Sequence, residues 1–173
     1  MARARRFTPG GYVYHVFNRG SRKGVLFDTC EDYDAFVQLV EEARRKRPMR
    51  IIAYCLMRTH FHFLLWPRNT GDLSRFMKWL TENHASRFHR RRGSQGTGAV
   101  YQSRFASKPI RDDRQYHTVL RYIERNALVA GYVTRAEDWR WCSAWQGNAG
   151  DSLAMDDSPL PRLANWLELL NDS

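Results

Sequence analysis

Residues 51–66, IIAYCLMRTHFHFLLW, restrict the fold of this chain more than any other segment. Two apolar stretches of strand length flank a two-residue link, which is the spacing of a β-hairpin. Side chains alternate between the two faces of a strand, so His60 and His62 share one face and Phe61 and Phe63 share the other. We therefore predict an antiparallel hairpin whose phenylalanines enter the core and whose histidines emerge on the opposite face.

The rest of the chain supplies further strands and amphipathic helices around this hairpin. Apolar residues recur at i, i+3, i+4 and i+7 in three segments, which predicts helices, and two other segments have strand character. We predict strands over 12–18 and 103–110, and helices from Asp28–Thr29 to about Arg45, from about Gly71 to about Arg90, and from about Asp112 to before Gly131. The order β-α-β-β-α-β-α predicts an α+β, ferredoxin-like fold: a four-stranded antiparallel sheet with helices packed on one face, leaving the other face available to a ligand.

The length of the chain suits one ordinary domain, since 173 residues are too few for two of typical size. We place the main domain at 1–147, followed by an acidic linker and a short C-terminal amphipathic segment at 148–173. No apolar run approaches the length of a membrane span, and the basic N-terminus lacks the apolar part of a secretory signal. We therefore expect a cytoplasmic protein that has no membrane partner. Three widely separated cysteines without CxxC spacing argue against a disulfide framework and against a zinc site.

The chain is strongly basic, with a formal charge of +10 and a pI of about 10.0. Arginine, which binds phosphate in bidentate geometry and stacks on bases, carries nearly all of the positive charge, and this favours a nucleic acid as partner. The proposed phosphate contacts are Arg3, Arg5, Arg6, Arg19, Arg22, Lys23, Arg104 and Lys108, with a further cluster at Arg87, Arg90, Arg91 and Arg92. A run of charge is equally typical of a solvated surface.

The spacing of the two hairpin histidines has two interpretations. They bind one divalent ion, or they are structural residues whose hydrogen bonds are satisfied on a solvated strand face. With six histidines in the chain, a chance His-X-His is expected roughly one time in five, so the pair alone decides nothing. In LRYIERNALVAG, Tyr122 and Asn126 lie four residues apart on the flank of the apolar stripe, where a helix borders a cleft with the sheet. A half-buried structural tyrosine is the alternative for Tyr122.

Residues 8–146 resemble the Y1 family of HUH transposases, the IS200-like group, and are most similar to the REP-associated tyrosine transposases. The resemblance implies that His60-Phe61-His62 is the metal-binding HUH motif, with Mg²⁺ or Mn²⁺ as cofactor. It also implies that Asn126 completes the metal site and that Tyr122 is the catalytic nucleophile. Arg58-Thr59 stands where the family usually has Pro-Asn, and Asn126-Ala127 stands where it usually has Asn-Pro.

The resemblance implies a metal-dependent single-stranded DNA endonuclease and strand transferase that acts near palindromic or hairpin DNA. Its tyrosine would form a 5′-phosphotyrosine link, and the enzyme would act as a monomer or a homodimer. The main alternative is a non-catalytic nucleic-acid-binding module with a ferredoxin-like fold. A phosphoesterase with two histidine-hydrophobe-Ser/Thr motifs ranks lower, because His117-Thr118 is a lone fragment of such a pair.

Overall fold

A four-stranded antiparallel sheet organises the computed structural model, which describes residues 7–148, 150 and 152–172. Its strands are Tyr14–Arg19 (β1), Arg50–Met57 (β2), His60–Trp66 (β3) and Ala106–Pro109 (β4), in the spatial order β2-β3-β1-β4. The helices are Cys30–Lys46 (α1), Asp72–Arg92 (α2), Asp113–Glu124 (α3), Asn126–Val129 (α4) and Trp166–Asn171 (α5). The predicted α+β, ferredoxin-like class and the hairpin at its centre are confirmed.

The two long helices begin and end at local stop signals in the sequence. Thr29 caps α1 through a capping box with Asp32, and Pro48 follows the end of that helix. Glycines with positive φ flank α2, Gly71 at 86° and Gly93 at 59°, a conformation that side chains with a Cβ rarely adopt. These boundaries lie within two residues of the predicted ones.

The face of the sheet that carries Phe61 and Phe63 packs against α1 and α2. Both rings are fully buried, and they contact Phe36 of α1 and Tyr54 of β2. Each such ring contributes about 1.5–3 kcal/mol of burial free energy, so this side forms the main core.

The prediction that the helices pack on one face of the sheet is confirmed for α1 and α2 and is wrong for α3. α3 lies on the opposite face, where Leu120 and Ile123 pack on Ile52, Ala53 and Leu64. The physical reason is β2 itself, since residues 51–57 are apolar on both faces and all are buried. A strand of this kind needs cover on both sides. The open part of this second face is therefore confined to β1, β4 and the adjoining end of β3.

Two predicted elements differ in detail from the structure. The last strand is shorter than 103–110, because it is an edge strand that ends at Pro109, which lacks an N–H for the ladder. The third helix is interrupted at Arg125, where a turn separates Asp113–Glu124 from Asn126–Val129. Tyr122 and Asn126 therefore belong to consecutive helices, although the amide of Asn126 still donates to the carbonyl of Tyr122 at 3.2 Å.

The C-terminal segment docks on the helix that carries Tyr122. Trp166 and Leu170 are buried in the cluster around α3, and the Arg121 guanidinium donates to the Leu169 carbonyl at 2.7 Å. In the part of the chain that the structure describes, no helix is long and apolar enough to cross a membrane.

Candidate active site

The open part of the sheet carries a row of polar and aromatic side chains on two neighbouring strands. β1 and β3 pair with Phe17 opposite His62 and Arg19 opposite His60. Directly opposed residues of an antiparallel pair point to the same face, so all four side chains lie together. The face assignment made from strand alternation is correct for both histidines.

Each of the two histidines has its Nδ1 atom in contact with a neighbouring side chain. His62 Nδ1 lies 2.9 Å from Nε2 of His15, which projects from β1 on the same face. His60 Nδ1 lies 3.2 Å from the hydroxyl of Thr59 in the hairpin link. Asn126 reaches this end of the sheet as well, since its amide lies close enough to the His60 ring to raise the pKa of that imidazole against the effect of burial. The predicted ligands His60, His62 and Asn126 are thus neighbours.

Tyr122 lies over the same cluster from the last turn of α3. Its ring centroid is 5.4 Å from that of His62 and 5.8 Å from that of His15, both in edge-on geometry. The residue is 53% exposed, although its neighbours in the sequence, Ile123 and Glu124, are fully buried. α3 is therefore anchored while the tyrosine remains accessible beside the histidines.

The histidines of this face are in environments that favour their neutral forms. Burial lowers the pKa of His62 to about 3, with smaller contributions from His15 and His60. Burial, and then the Lys108 ammonium, lower the pKa of His15 to about 4. Burial also lowers the pKa of His60, and the neighbouring Asn126 amide partly opposes this shift. Neutral imidazole is the form that offers a lone pair to a metal ion.

The donor set on this face is two imidazole nitrogens and one amide oxygen. Among the described residues there is no cluster of three or more histidine, cysteine, aspartate or glutamate side chains placed to hold a metal ion. Imidazole and amide donors with further positions left open suit Mn²⁺ or Mg²⁺, and the donor set fits the ion implied by the sequence.

Two of the predicted DNA contacts lie at this face. Arg19 is exposed beside His60, and Lys108 is opposite His15 in the β1–β4 pair, with its ammonium 5.8 Å from the Phe17 ring centroid. Arg22, Lys23 and Arg104 are exposed elsewhere, and in the described part of the chain no contact joins them to the histidines. Arg3, Arg5 and Arg6 lie outside the described residues.

The arginines at the end of α2 have protein partners. Arg87 pairs with Glu42 at 2.6 Å, and Arg91 and Arg92 both pair with Asp32. These ion pairs link α2 to α1 on the far face of the sheet, away from the histidines. Three of the four arginines of this cluster, Arg87, Arg91 and Arg92, therefore pair with carboxylates at the helix–helix contact.

Three residues of the face were missed by the analysis of the sequence: His15, Phe17 and Thr59. The alternation of residues 14–19 already placed His15, Phe17 and Arg19 on one face of a strand. What was missing was the pairing of β1 with β3, which brings that face beside His60 and His62.

Comparison with known proteins identifies a family for this chain. The family model described as "Transposase IS200 like" matches residues 10–126, about two thirds of the chain. A REP-associated tyrosine transposase of Escherichia coli strain K12 is 25% identical over 139 residues, covering 78% of this chain and 77% of that protein. A Haemophilus influenzae protein named after the same type of transposase is 27% identical over 149 residues, covering 80% of this chain and 82% of that protein.

A solved structure supports the fold independently. The structure of a REP-associated tyrosine transposase bound to a REP hairpin superposes with a TM-score of 0.66, covering 91% of this chain and 99% of that one, at 22% identity. The match of the family model over more than half of the chain, on a fold of the same topology, assigns the protein: the chain belongs to the IS200-like transposase family.

Proposed function

We propose that this protein cleaves and rejoins single-stranded DNA, with Tyr122 as the nucleophile and with a divalent metal ion held by His60, His62 and Asn126. The observation that carries the proposal is the position of Tyr122. Its accessible phenol ring lies 5.4 Å from the ring of His62 on the open face of the sheet. A nucleophile beside a set of metal donors is the arrangement that phosphoryl transfer requires.

The chemistry of the nucleophile can be written as an exchange of one phosphodiester for another. The bond between Tyr122 Oη and phosphorus forms while the bond between phosphorus and the 3′ oxygen breaks. The phenol loses its proton to water and the departing oxygen takes one, which leaves a 5′-phosphotyrosine link and a free 3′-OH. Because the covalent link conserves the reactivity of the phosphodiester, a second 3′-OH can displace the tyrosine and rejoin the strand.

The metal ion, Mg²⁺ or Mn²⁺, would polarise the scissile phosphate and stabilise charge on its oxygens. The protein contributes the donor set. His60 and His62 are neutral and held at one end of β3, and Asn126 lies against His60. The Tyr122 ring lies 5.4 Å from the His62 ring within one chain, which supports a site that a single chain completes.

The substrate we propose is DNA with a hairpin or palindromic fold. The positive charge of the chain, and the cations Arg19 and Lys108 on either side of the histidine face, supply the means to bind a phosphate backbone. The similar E. coli and H. influenzae proteins are named for their association with REP elements, and the structurally similar transposase is bound to a REP hairpin.

Nicking assays with a labelled hairpin and a single-stranded flank test the proposal. With Mn²⁺ present, we expect the wild type to give a nicked strand and a protein–DNA adduct that resists denaturation. Tyr122→Phe removes only the hydroxyl, so we expect the adduct to be lost while hairpin binding stays within about twofold of wild type. Tyr132→Phe is the matched control, since Tyr132 is another exposed tyrosine and contacts Trp139 rather than the histidines.

Two outcomes would refute parts of this proposal. An adduct that forms equally well with Tyr122→Phe would exclude Tyr122 as the nucleophile. Hairpin binding by the wild type without cleavage in Mn²⁺ or Mg²⁺ would favour the alternative, a non-catalytic nucleic-acid-binding module.

A further inference from the structure

The Nδ1 atoms of both histidines in the proposed metal site already contact protein atoms, so Nε2 is the nitrogen of each ring that remains to bind a metal ion. We propose that His15 and Thr59 are positioning residues that hold these Nδ1 atoms and so fix Nε2 of His62 and of His60 as the metal-binding atoms. The inference rests on the proposed function, since it concerns the same metal site. It assigns roles to two residues that lie outside the His-X-His motif.

His15 acts on His62 from the neighbouring strand. The two rings are stacked with centroids 5.1 Å apart, and His15 Nε2 lies 2.9 Å from His62 Nδ1. His15 is 9% exposed, so water competes little for this contact. Its position is fixed by the backbone, because β1 pairs with β3 on one side and with β4 on the other.

The direction of this hydrogen bond follows from metal binding. A neutral imidazole has one N–H and one lone pair, so a His62 that binds a metal through Nε2 must carry its proton on Nδ1. It then donates to His15 Nε2, which must be unprotonated and leave the proton of His15 on Nδ1. One contact therefore sets the tautomers of both rings, which is how hydrogen-bond partners of metal-binding histidines act.

Thr59 does the same for His60 from the hairpin link. Its hydroxyl lies 3.2 Å from His60 Nδ1 and can accept a hydrogen bond from the N–H at that atom. The link itself is held in place, because the Thr59 carbonyl accepts from the Gly20 N–H at 2.8 Å and the Arg58 guanidinium pairs with Asp28 at 2.8 Å. The residues Arg58-Thr59, which depart from the usual Pro-Asn of the family, thus provide a fixed turn with a hydroxyl beside His60.

Four variants separate the hydrogen bond from the volume of the side chain. His15→Phe keeps a ring in the buried site and removes the acceptor, whereas His15→Gln keeps an acceptor at the end of the side chain. Thr59→Val is nearly isosteric and lacks the hydroxyl, whereas Thr59→Ser retains it. Thermal melting establishes that each variant folds before its metal binding is compared.

The measurement is the binding of Mn²⁺ alone to the full-length protein, followed by electron paramagnetic resonance of free Mn²⁺. Partners of metal-binding histidines typically change metal affinity about 10–100-fold, so we expect weaker Mn²⁺ binding in this range for His15→Phe and Thr59→Val. We expect His15→Gln and Thr59→Ser to recover most of the loss. Binding of the DNA hairpin without metal should stay within about twofold of wild type in all four variants.

The possible results separate this inference from the proposed function. Mn²⁺ binding that is lost in His62→Ala but unchanged in His15→Phe and Thr59→Val would overturn the positioning roles and leave the metal site standing. Equal losses in His15→Gln and His15→Phe would overturn the role of the acceptor. A wild type that binds no Mn²⁺, or that binds it equally well after His60→Ala and His62→Ala, would overturn the metal site and the inference with it.

Discussion

Replacement of Glu124 tests how the helix that carries Tyr122 is fixed in place. Glu124 is fully buried two residues after the tyrosine, and its carboxylate accepts from three side chains. The Arg162 guanidinium donates at 2.5 Å, the Trp166 indole N–H at 2.6 Å and the Ser143 hydroxyl at 2.7 Å. Arg162 and Trp166 belong to the C-terminal segment, so this one carboxylate joins α3 to the end of the chain.

The magnitude follows from what each substitution leaves unpaired. Glu124→Ala removes every acceptor: it leaves the buried Trp166 indole N–H without a partner and frees an Arg162 guanidinium whose side chain is 34% exposed, so water offsets part of the loss. The cost is about 3 kcal/mol, at the lower end of the range for broken buried ion pairs. Glu124→Gln keeps one acceptor oxygen but turns an NH₂ toward a donor. One charge-assisted hydrogen bond is then lost, at about 1.5–3 kcal/mol.

Thermal melting and urea unfolding measure these costs. For a chain of this length, 1 kcal/mol corresponds to roughly 2–4 °C in Tm, so we expect Glu124→Gln to melt roughly 3–12 °C below wild type and Glu124→Ala lower still. Glu168→Gln is the matched control, because Glu168 is exposed on α5, and its change should stay within about 0.5 kcal/mol. Equal melting temperatures for Glu124→Ala, Glu124→Gln and wild type would refute the idea that the buried carboxylate secures the helix of Tyr122.

Two further predictions concern metal binding and acid stability. Asn126→Ala removes the amide beside His60. We expect the Kd for Mn²⁺, measured by electron paramagnetic resonance, to rise about tenfold or more while the DNA hairpin still binds. An unchanged Kd would exclude Asn126 as a ligand. Burial lowers the pKa of His84 to about 3 in the folded protein, whereas its pKa in the unfolded chain is near 6.5. As pH falls below 6.5, His84 therefore becomes protonated in the unfolded chain first, and the free energy of unfolding decreases. Between pH 8 and pH 5 this loss is about 2 kcal/mol. Urea unfolding should therefore show a smaller difference in free energy of unfolding between wild type and His84→Asn at pH 5 than at pH 8. An equal difference at the two pH values would contradict the prediction.

The elements that the sequence predicts well are those with a complete local signal. The start of α1 is encoded by Thr29 and Asp32, and the hairpin by two apolar strands around a two-residue link. The alternation of residues 60–63 was enough to place His60 and His62 opposite Phe61 and Phe63. In each case the residues that determine the structure lie within a few positions of one another, so no knowledge of tertiary contacts is needed.

The position of α3 could not be predicted in the same way, because it depends on the burial of another element. Its amphipathic pattern is compatible with packing on either face of the sheet. The deciding feature lies more than fifty positions earlier, in a strand whose residues 51–57 are apolar on both sides. Ile52 and Cys55 would be exposed if all helices packed beneath Phe61 and Phe63, and the cover they need is what brings Tyr122 across to the histidine face.

His15 shows why the local pattern of a metal site is insufficient even when its ligands are recognised. A His-X-His motif gives two imidazoles on one face, but it does not say which nitrogen of each ring is free. That choice depends on the atoms at Nδ1: for His62 the neighbour comes from β1, 47 residues earlier, and for His60 from the adjacent Thr59. The strand register sets Phe17 opposite His62 and Leu64 opposite His15, so it shapes the proposed metal site as much as the motif does. A slip of one residue would turn His15 to the core and leave Nδ1 of His62 without its partner.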